Sequence, residues 1–325
     1  MSWNPVNLLH DRSPEPGPKV VAIGGGHGLA ATLRATRTYA AGITAVVTVA
    51  DDGGSTGRLR AAVDRPAPGD LRTCLVALAA ESSVLARAMD YRFAAGELDG
   101  HAFGNLLIVA LEDTEGDLVA ALDQVGELLG AVGRVLPATR QAVTLRAAIR
   151  SGDVVHGEQA VGSQSDVSSV SLSPHDATAC PEAVQAILEA DQILLGPGSL
   201  YTSVLAATAV SGIADALAAA TGQFVYVCNL NPQVPETVGY SVADHVRALQ
   251  RHGLTPDVVL YDSDSAGLAT ANAVSEELGE LVSTRAVPGL LAAQSATAHD
   301  PALLGAALAE LLAHASTGVV LPTAL

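Results

Sequence analysis

The stretch KVVAIGGGHGLAATLRA, residues 19–35, joins a strand pattern to a helix pattern through a glycine-rich loop. Lys19–Ile23 predicts a short buried strand, and the hydrophobic period after the glycines predicts a helix. Gly26, Gly28 and Ala31 fit the spacing G-x-G-x-x-A. Such a loop lets a phosphate approach the backbone N–H groups that open a helix. We therefore predict a phosphate site, with a tight turn that holds no ligand as the alternative. Its residues are Gly24, Gly25, Gly26, His27 and Gly28.

A second strand, predicted at Val46–Val49, leads into paired acids within VVTVADDGGSTGRLR, residues 46–60. In dinucleotide-binding folds an acid about 20 residues after the glycines binds the ribose hydroxyls. Asp51 lies 23 residues after Gly28 (51 − 28) and fits this role. A ribose needs only one acid, so Asp52 could hold a divalent cation or a substrate hydroxyl. A polar turn without a ligand is the alternative. The predicted contacts of this segment are Asp51, Asp52, Gly53, Ser55 and Arg58.

Later loops repeat the strand, glycine and helix order. The strand pattern Gln192–Leu195 opens into GPGSLYTS, residues 196–203, whose hydroxyls can donate to phosphate or sugar oxygens. Phe224–Cys228 predicts a further strand, and Asp70 occupies the N-cap position of a predicted helix. Ser241 and Asp244 fit the capping box of a later predicted helix, Ser241–Arg251. The remaining predicted ligand contacts are Arg72, Asn105, Gly196, Gly198, Ser199, Tyr201, Thr202, Asn229, Thr237 and Tyr240.

The order of these patterns predicts the fold. Strands that alternate with helices indicate a mostly parallel sheet covered on both faces. We predict an α/β, Rossmann-like three-layer sandwich with an antiparallel hairpin insertion at about residues 142–161. Residues 19–325 would form one domain, after a disordered tail over residues 1–18. In such folds the ligand lies beyond the carboxyl ends of the strands, where the glycine loops fall.

Composition limits the choice of partners and compartment. The 325 residues carry a net charge of −17, which disfavours nucleic acid and anionic lipid as partners. No apolar run approaches the roughly 20 residues of a membrane span, and no signal-peptide pattern opens the chain. Three scattered cysteines suit a reducing compartment. We expect a cytoplasmic protein that inserts in no membrane, binds a small nucleotide ligand and forms a homo-oligomer.

Taken together, the motifs resemble the CofD/YvcK superfamily and are most similar to the YvcK-type gluconeogenesis factors of bacteria. The resemblance runs from about Val20 to about Gly253. It is carried by GGGHGL, TAVVTVADDGGSTGRLR, PGDLRTCLVALA, GNLL, LGPGSLYTS, YVCN and PETVGYSVADHV. The family usually has Thr where this chain has His27, but backbone contacts of the loop do not depend on that side chain.

The resemblance implies a protein that binds a nucleotide sugar such as UDP-N-acetylglucosamine. It also implies a role in gluconeogenic growth, cell shape and cell-wall homeostasis, without an established reaction. The similar CofD branch transfers a phospholactyl group to a deazaflavin precursor, and its metal-binding acids match Asp52 and Asp70. A Mg²⁺-dependent phospho-acyl transferase is therefore one alternative. An NAD-binding oxidoreductase is a second, because the loop and acid spacing permits NAD.

Overall fold

The structure, a computed structural model, describes residues 17–54, 56–58, 65–263, 284–292 and 297–317. Its strands are β1 (Lys19–Gly24), β2 (Gly42–Val47), β3 (Arg134–Pro137), β4 (Thr144–Ile149), β5 (Val154–His156), β6 (Val167–Ser173), β7 (Gln192–Leu195), β8 (Gln223–Val227), β9 (Val258–Asp262) and β10 (Arg285–Gly289). Its α-helices are α1 (Gly26–Thr36), α2 (Gly69–Leu78), α3 (Val84–Met89), α4 (Phe103–Glu115), α5 (Leu118–Leu129), α6 (Glu158–Gly162), α7 (Pro181–Leu188), α8 (Leu205–Thr208), α9 (Ser211–Ala219), α10 (Val242–Arg251) and α11 (Pro301–Thr317). A π-helical turn, Leu200–Val204, leads directly into α8.

Within the described residues, seven strands form one parallel sheet in the order β10-β9-β8-β7-β1-β2-β3. The chain moves outward from β1 to β3 and then, after an insertion, outward from β7 to β10. Right-handed crossovers in opposite directions place their helices on opposite faces of the sheet. The predicted α/β class and mostly parallel sheet are therefore confirmed. The direction reverses between β1 and β7, which is the position where such folds bind ligands.

The strands are apolar because both faces of the sheet are covered. Val20–Ile23 of β1 and Ile193–Leu195 of β7 are buried at the centre of the sheet. Leu29 and Leu33 of α1 are buried in the same core, where α1 contacts α2 and α11. This packing fixes the glycine loop between β1 and α1 against a rigid layer.

Two local predictions need correction, and a third is confirmed and extended. The strand predicted at Val46–Val49 is Gly42–Val47, because β1 ends at Gly24, opposite Val47, and offers no partner beyond it. The predicted hairpin is confirmed as β4 and β5, and it extends to a three-stranded antiparallel sheet, β5-β4-β6, since the chain returns after α6 to pair β6 with β4. Asp70 is not the N-cap of α2, which is Pro68.

A further local prediction is confirmed. Ser241 and Asp244 form the predicted capping box of α10, with both reciprocal bonds present. In the described part of the chain, no single helix has the length and apolar composition of a membrane span. Leu200–Thr208 and Ser211–Ala219 have that length and composition only when taken together, and the two are bent by 76° relative to one another. The predicted tail lies outside the described residues except for Gly17 and Pro18, and Ser55 lies outside them as well.

Candidate functional site

Two glycine loops meet at the reversal of strand order. The first loop is Gly24–Gly28, after β1, and the second loop is Gly196–Ser199, after β7; β1 and β7 pair side by side up to Ile23 and Leu195. A Cβ atom on Gly28 would lie 2.3 Å from the carbonyl oxygen of Pro197. Glycine is required here because the two backbones touch. A ligand above this crevice would contact both loops.

The first loop is shaped by glycine and supported by Asp70. Gly26 has a φ of +62°, in the left-handed region that favours glycine, and it begins α1. A Cβ atom on Gly25 would lie 2.4 Å from Oδ2 of Asp70. The Gly26 N–H donates a hydrogen bond to the Asp70 carboxylate. Asp70 thus packs against the loop and holds its backbone, while the His27 side chain is exposed.

Four acids gather beside this loop. Glu158, from the start of α6, forms a hydrogen bond with Asp51 and interacts electrostatically with Asp52 and Asp70. Burial and the Asp51 carboxylate raise the pKa of Glu158 to about 8. Burial, followed by repulsion from Asp51, raises the pKa of Asp70 to about 7. Near neutral pH Glu158 and, in part, Asp70 therefore retain protons, which indicates a site short of positive charge.

The inserted sheet supplies one wall of this acid cluster, defined as Asp51, Asp52, Asp70 and Glu158. The backbone N–H of Gln159 donates to Oδ1 of Asp52 at 3.0 Å. Gly157 has a φ of +94°, and a Cβ atom there would lie 2.2 Å from Oδ2 of Asp52. The insertion is therefore built around Asp52 and closes the crevice on that side.

The donor chemistry of the acid cluster fits a hard cation. Carboxylate oxygens suit Mg²⁺, which proteins usually bind through one or two carboxylates together with waters and substrate phosphates. Among the described residues, no group of three or more His, Cys, Asp or Glu side chains is arranged to hold a metal ion by itself. The cluster thus fits a shared site, completed by the ligand, and not a closed protein cage.

The predicted contacts Arg72 and Asn105 lie together. Nε of Arg72 donates to Oδ1 of Asn105 at 3.1 Å, and its Nη1 pairs with Asp90. Arg72 is only 9% exposed, so its guanidinium mainly joins α2, α3 and α4. Arg58 is exposed and donates to the backbone carbonyl of Asp99 at 2.5 Å. Arg72 lowers the pKa of Asp70 only as the last of its causes, and therefore compensates the acid cluster weakly.

The second loop is held by side chains of the same half of the sheet. Asn229, just after β8, accepts from the Gly198 N–H at 2.9 Å and donates to the Gly198 carbonyl at 2.8 Å. Oε1 of Glu236 accepts from the N–H groups of Tyr201 at 2.9 Å and Thr202 at 3.1 Å. The Ser199 hydroxyl donates to the other Glu236 oxygen. These bonds occupy the backbone N–H groups of Gly198, Tyr201 and Thr202, three of the residues predicted from the sequence to contact a ligand.

Further predicted ligand contacts pack behind the second loop and support this half of the site. Tyr201 is fully buried, and its hydroxyl lies 2.8 Å from that of Tyr240. Thr237 is also fully buried and accepts from the Gln233 N–H at 2.8 Å. Burial gives Tyr201 and Thr237 a supporting position, whereas Tyr240 is partly exposed.

Sequence reasoning missed Glu158, Gln159 and Glu236. Glu158 and Gln159 lie in the predicted hairpin, where the pattern gave no reason to connect them with acids some 107 positions earlier. Glu236 lies in the motif PETVGYSVADHV, between a proline and the predicted contact Thr237. An acidic residue directly before the predicted contact Thr237 was the available signal.

Comparisons with known proteins agree with this geometry. A profile of the family described as 2-phospho-L-lactate transferase CofD matches residues 20–284. A relative from Nostoc sp. is 48% identical over 244 residues, and the chain spans only 54% of its length. The gluconeogenesis factor of Bacillus subtilis is 41% identical over 237 residues, which are 72% of this chain and 75% of that protein.

Solved structures give the same assignment. A crystal structure of a UPF0052-family protein from Bacillus halodurans matches with a TM-score of 0.85 and 34% identity. The match covers 90% of this chain and 98% of that one. The chain therefore belongs to the CofD family, within the group of bacterial members that includes the gluconeogenesis factors.

Proposed function

We propose that the protein is a nucleotide-sugar-binding regulator whose ligand resembles UDP-N-acetylglucosamine. The observation that carries the proposal is the contact between the two glycine loops where the strand order reverses. The first loop opens α1 and offers backbone N–H groups to phosphates. Asp51 supplies a carboxylate for the ribose hydroxyls at the end of the neighbouring strand.

Calorimetry tests this binding directly. Wild-type protein titrated with millimolar UDP-N-acetylglucosamine should give saturable heat. Asp51→Asn should weaken binding about 10- to 150-fold, since each lost hydrogen bond to a charged group costs roughly 1.5–3 kcal/mol. Asp215→Asn, at an exposed position of α9, is the matched control and should bind as wild type does. Absence of heat from folded wild-type protein would refute the proposal, and NAD in the same assay tests the dinucleotide alternative.

The proposed cellular role is gluconeogenic growth together with cell shape and cell-wall homeostasis. The name of the Bacillus subtilis relative supports the first part. Expression of this chain in a Bacillus subtilis strain that lacks its gluconeogenesis factor should restore growth on a gluconeogenic carbon source. The Asp51→Asn variant should restore it less well if ligand binding underlies the role.

A CofD-type phospho-acyl transferase is the second candidate, favoured by the family match and by the acid cluster. Asp52 and Asp70 would hold Mg²⁺, which would neutralise phosphate charge when bound. Asp52 is fixed by the Gln159 N–H and Asp70 by the Gly26 N–H, so both carboxylates are oriented before a ligand arrives. This candidate predicts Mg²⁺-dependent turnover that Asp52→Asn and Asp70→Asn abolish and Asp215→Asn preserves.

A further inference from the structure

We infer that the second loop is an anion site that the protein fills with its own Glu236. Every phosphate of a bound nucleotide ligand would then lie at the first loop, and the second loop would face a neutral part of the ligand. The statement about the ligand rests on the proposed function, whereas the filling of the loop by Glu236 does not.

The contacts of Glu236 are those a phosphate would make. Its Oε1 accepts two backbone N–H groups, from Tyr201 and Thr202, at the start of the helical segment Leu200–Thr208. Its Oε2 accepts the hydroxyl of Ser199. Convergent N–H groups and a hydroxyl at a helix start, after a glycine loop, are the donors that proteins offer to phosphates. Here a carboxylate from a loop 35 residues further along the chain takes them.

Burial makes this arrangement more than a surface contact. Glu236 is only 3% exposed, and among the described residues no basic side chain lies within ion-pair distance of it. Burial raises the pKa of Glu236 above its usual value, although the bonds from Ser199, Tyr201 and Thr202 lower it in part. The carboxylate is thus held by these donors alone, which is how a site built for an anion holds one.

A second anion has little reason to bind beside it. The Gly198 N–H, also in the second loop, is taken by Asn229. A phosphate there would meet the buried charge of Glu236 without free donors from Tyr201 or Thr202 to offset the repulsion. Gly198 and Ser199 remain partly exposed, and the Thr202 hydroxyl bonds to the Ser199 oxygen at 2.5 Å. This surface of hydroxyls and backbone suits a hydroxyl-bearing neutral group such as a sugar.

Inorganic phosphate is the probe that tests the inference. Thermal unfolding of wild type, Glu236→Ala and Glu236→Gln is measured against phosphate, with sodium chloride at equal ionic strength as the control. Glu236→Ala exposes the donors, so its Tm should fall and then gain a saturable phosphate-dependent rise of about 2–4 °C beyond any wild-type response. Glu236→Gln fills the same space and should follow the wild-type phosphate dependence.

Two results would overturn the inference. One is a folded Glu236→Ala protein whose Tm gains nothing from phosphate beyond wild type. The other is a Glu236→Gln protein that binds phosphate more than about threefold tighter than wild type, because a phosphate already near Glu236 would gain from loss of the charge. The second result is decisive even if Glu236→Ala does not fold. Failure of the proposed function can be told apart from failure of this inference. In that case UDP-N-acetylglucosamine gives no heat in calorimetry, and both phosphate results are unchanged.

Discussion

Replacing Gly28 with alanine tests the contact between the two glycine loops. Gly28 lies in the first turn of α1 and has no left-handed φ, so alanine would suit its backbone. Its Cβ atom, however, would lie 2.3 Å from the Pro197 carbonyl oxygen and 3.0 Å from the Gly198 Cα atom. Real Cβ atoms essentially never approach other atoms closer than 3.0 Å, so the loops must separate by at least 0.7 Å (3.0 − 2.3).

The expected cost follows from what must move. Both neighbours are backbone atoms, anchored by the pairing of β1 with β7, and neither can rotate away as a side chain would. Overpacking of this kind costs about 1–3 kcal/mol. Gly126→Ala in α5 is the matched control, because its nearest atoms would lie 3.9 Å away. That change should stabilise the protein by about 0.5–1 kcal/mol through helix propensity alone.

Urea denaturation and calorimetry measure the two consequences. Gly28→Ala should lower the free energy of unfolding by about 1–3 kcal/mol while Gly126→Ala raises it. Separation of the loops should also weaken UDP-N-acetylglucosamine binding at least tenfold in Gly28→Ala and leave it unchanged in Gly126→Ala. If Gly28→Ala were as stable as Gly126→Ala, the loops would not touch as described and the reasoning would fail.

Three further predictions concern pH and capping. The raised pKa values of Asp70 and Glu158 mean that the folded protein holds protons that it loses as pH rises from 5 to 8.5, so wild type should lose stability over this range. Asp51→Asn should reduce that loss, measured by urea midpoints. An unchanged slope of stability against pH would contradict this. Burial lowers the pKa of His252, whose Nε2 accepts from the Val170 N–H, so the contribution of His252 to stability is lost as pH falls from 7 to 5, opposite in sign to that of the acids. His252→Gln should therefore be destabilised relative to wild type more at pH 7 than at pH 5, and an equal difference in urea midpoint at both pH values would contradict this. Ser241→Ala should cost about 1 kcal/mol of unfolding free energy by removing the capping box of α10, and a cost near zero would show that the cap contributes little.

The glycine loops and the mostly parallel sheet could be inferred from the sequence because their signals are local. Lys19–Ile23 and Gln192–Leu195 read as strands, and each leads into glycines that only a close approach or an unusual φ explains. The parallel sheet follows from the alternation of such units with helices. Boundaries were less accurate where a neighbour decides them, as at Val47, where β2 ends because β1 does.

Long-range contacts account for what sequence reasoning missed. Asp70 was predicted to cap its own helix, but its carboxylate binds the Gly26 N–H of a different one. Glu158 was hidden in a segment read as a hairpin, and it meets Asp51 only because the insertion folds over the sheet. Nothing in local propensity distinguishes a carboxylate that meets a distant loop from one that meets water.

The central position of β1 has a consequence for synthesis on the ribosome. Among the described strands of the sheet, β1 is the first to be made, but its neighbour on one side, β7, comes much later in the chain. The separation is shown by the Lys19 N–H, which donates to the carboxylate of Asp191, 172 positions later. At translation speeds of about 5–20 residues per second, that side of the strand waits roughly 10–30 seconds for its partner. An apolar strand with one free edge is prone to pair with other chains. Until β7 has been made, the β7 side of β1 is therefore open to such pairing.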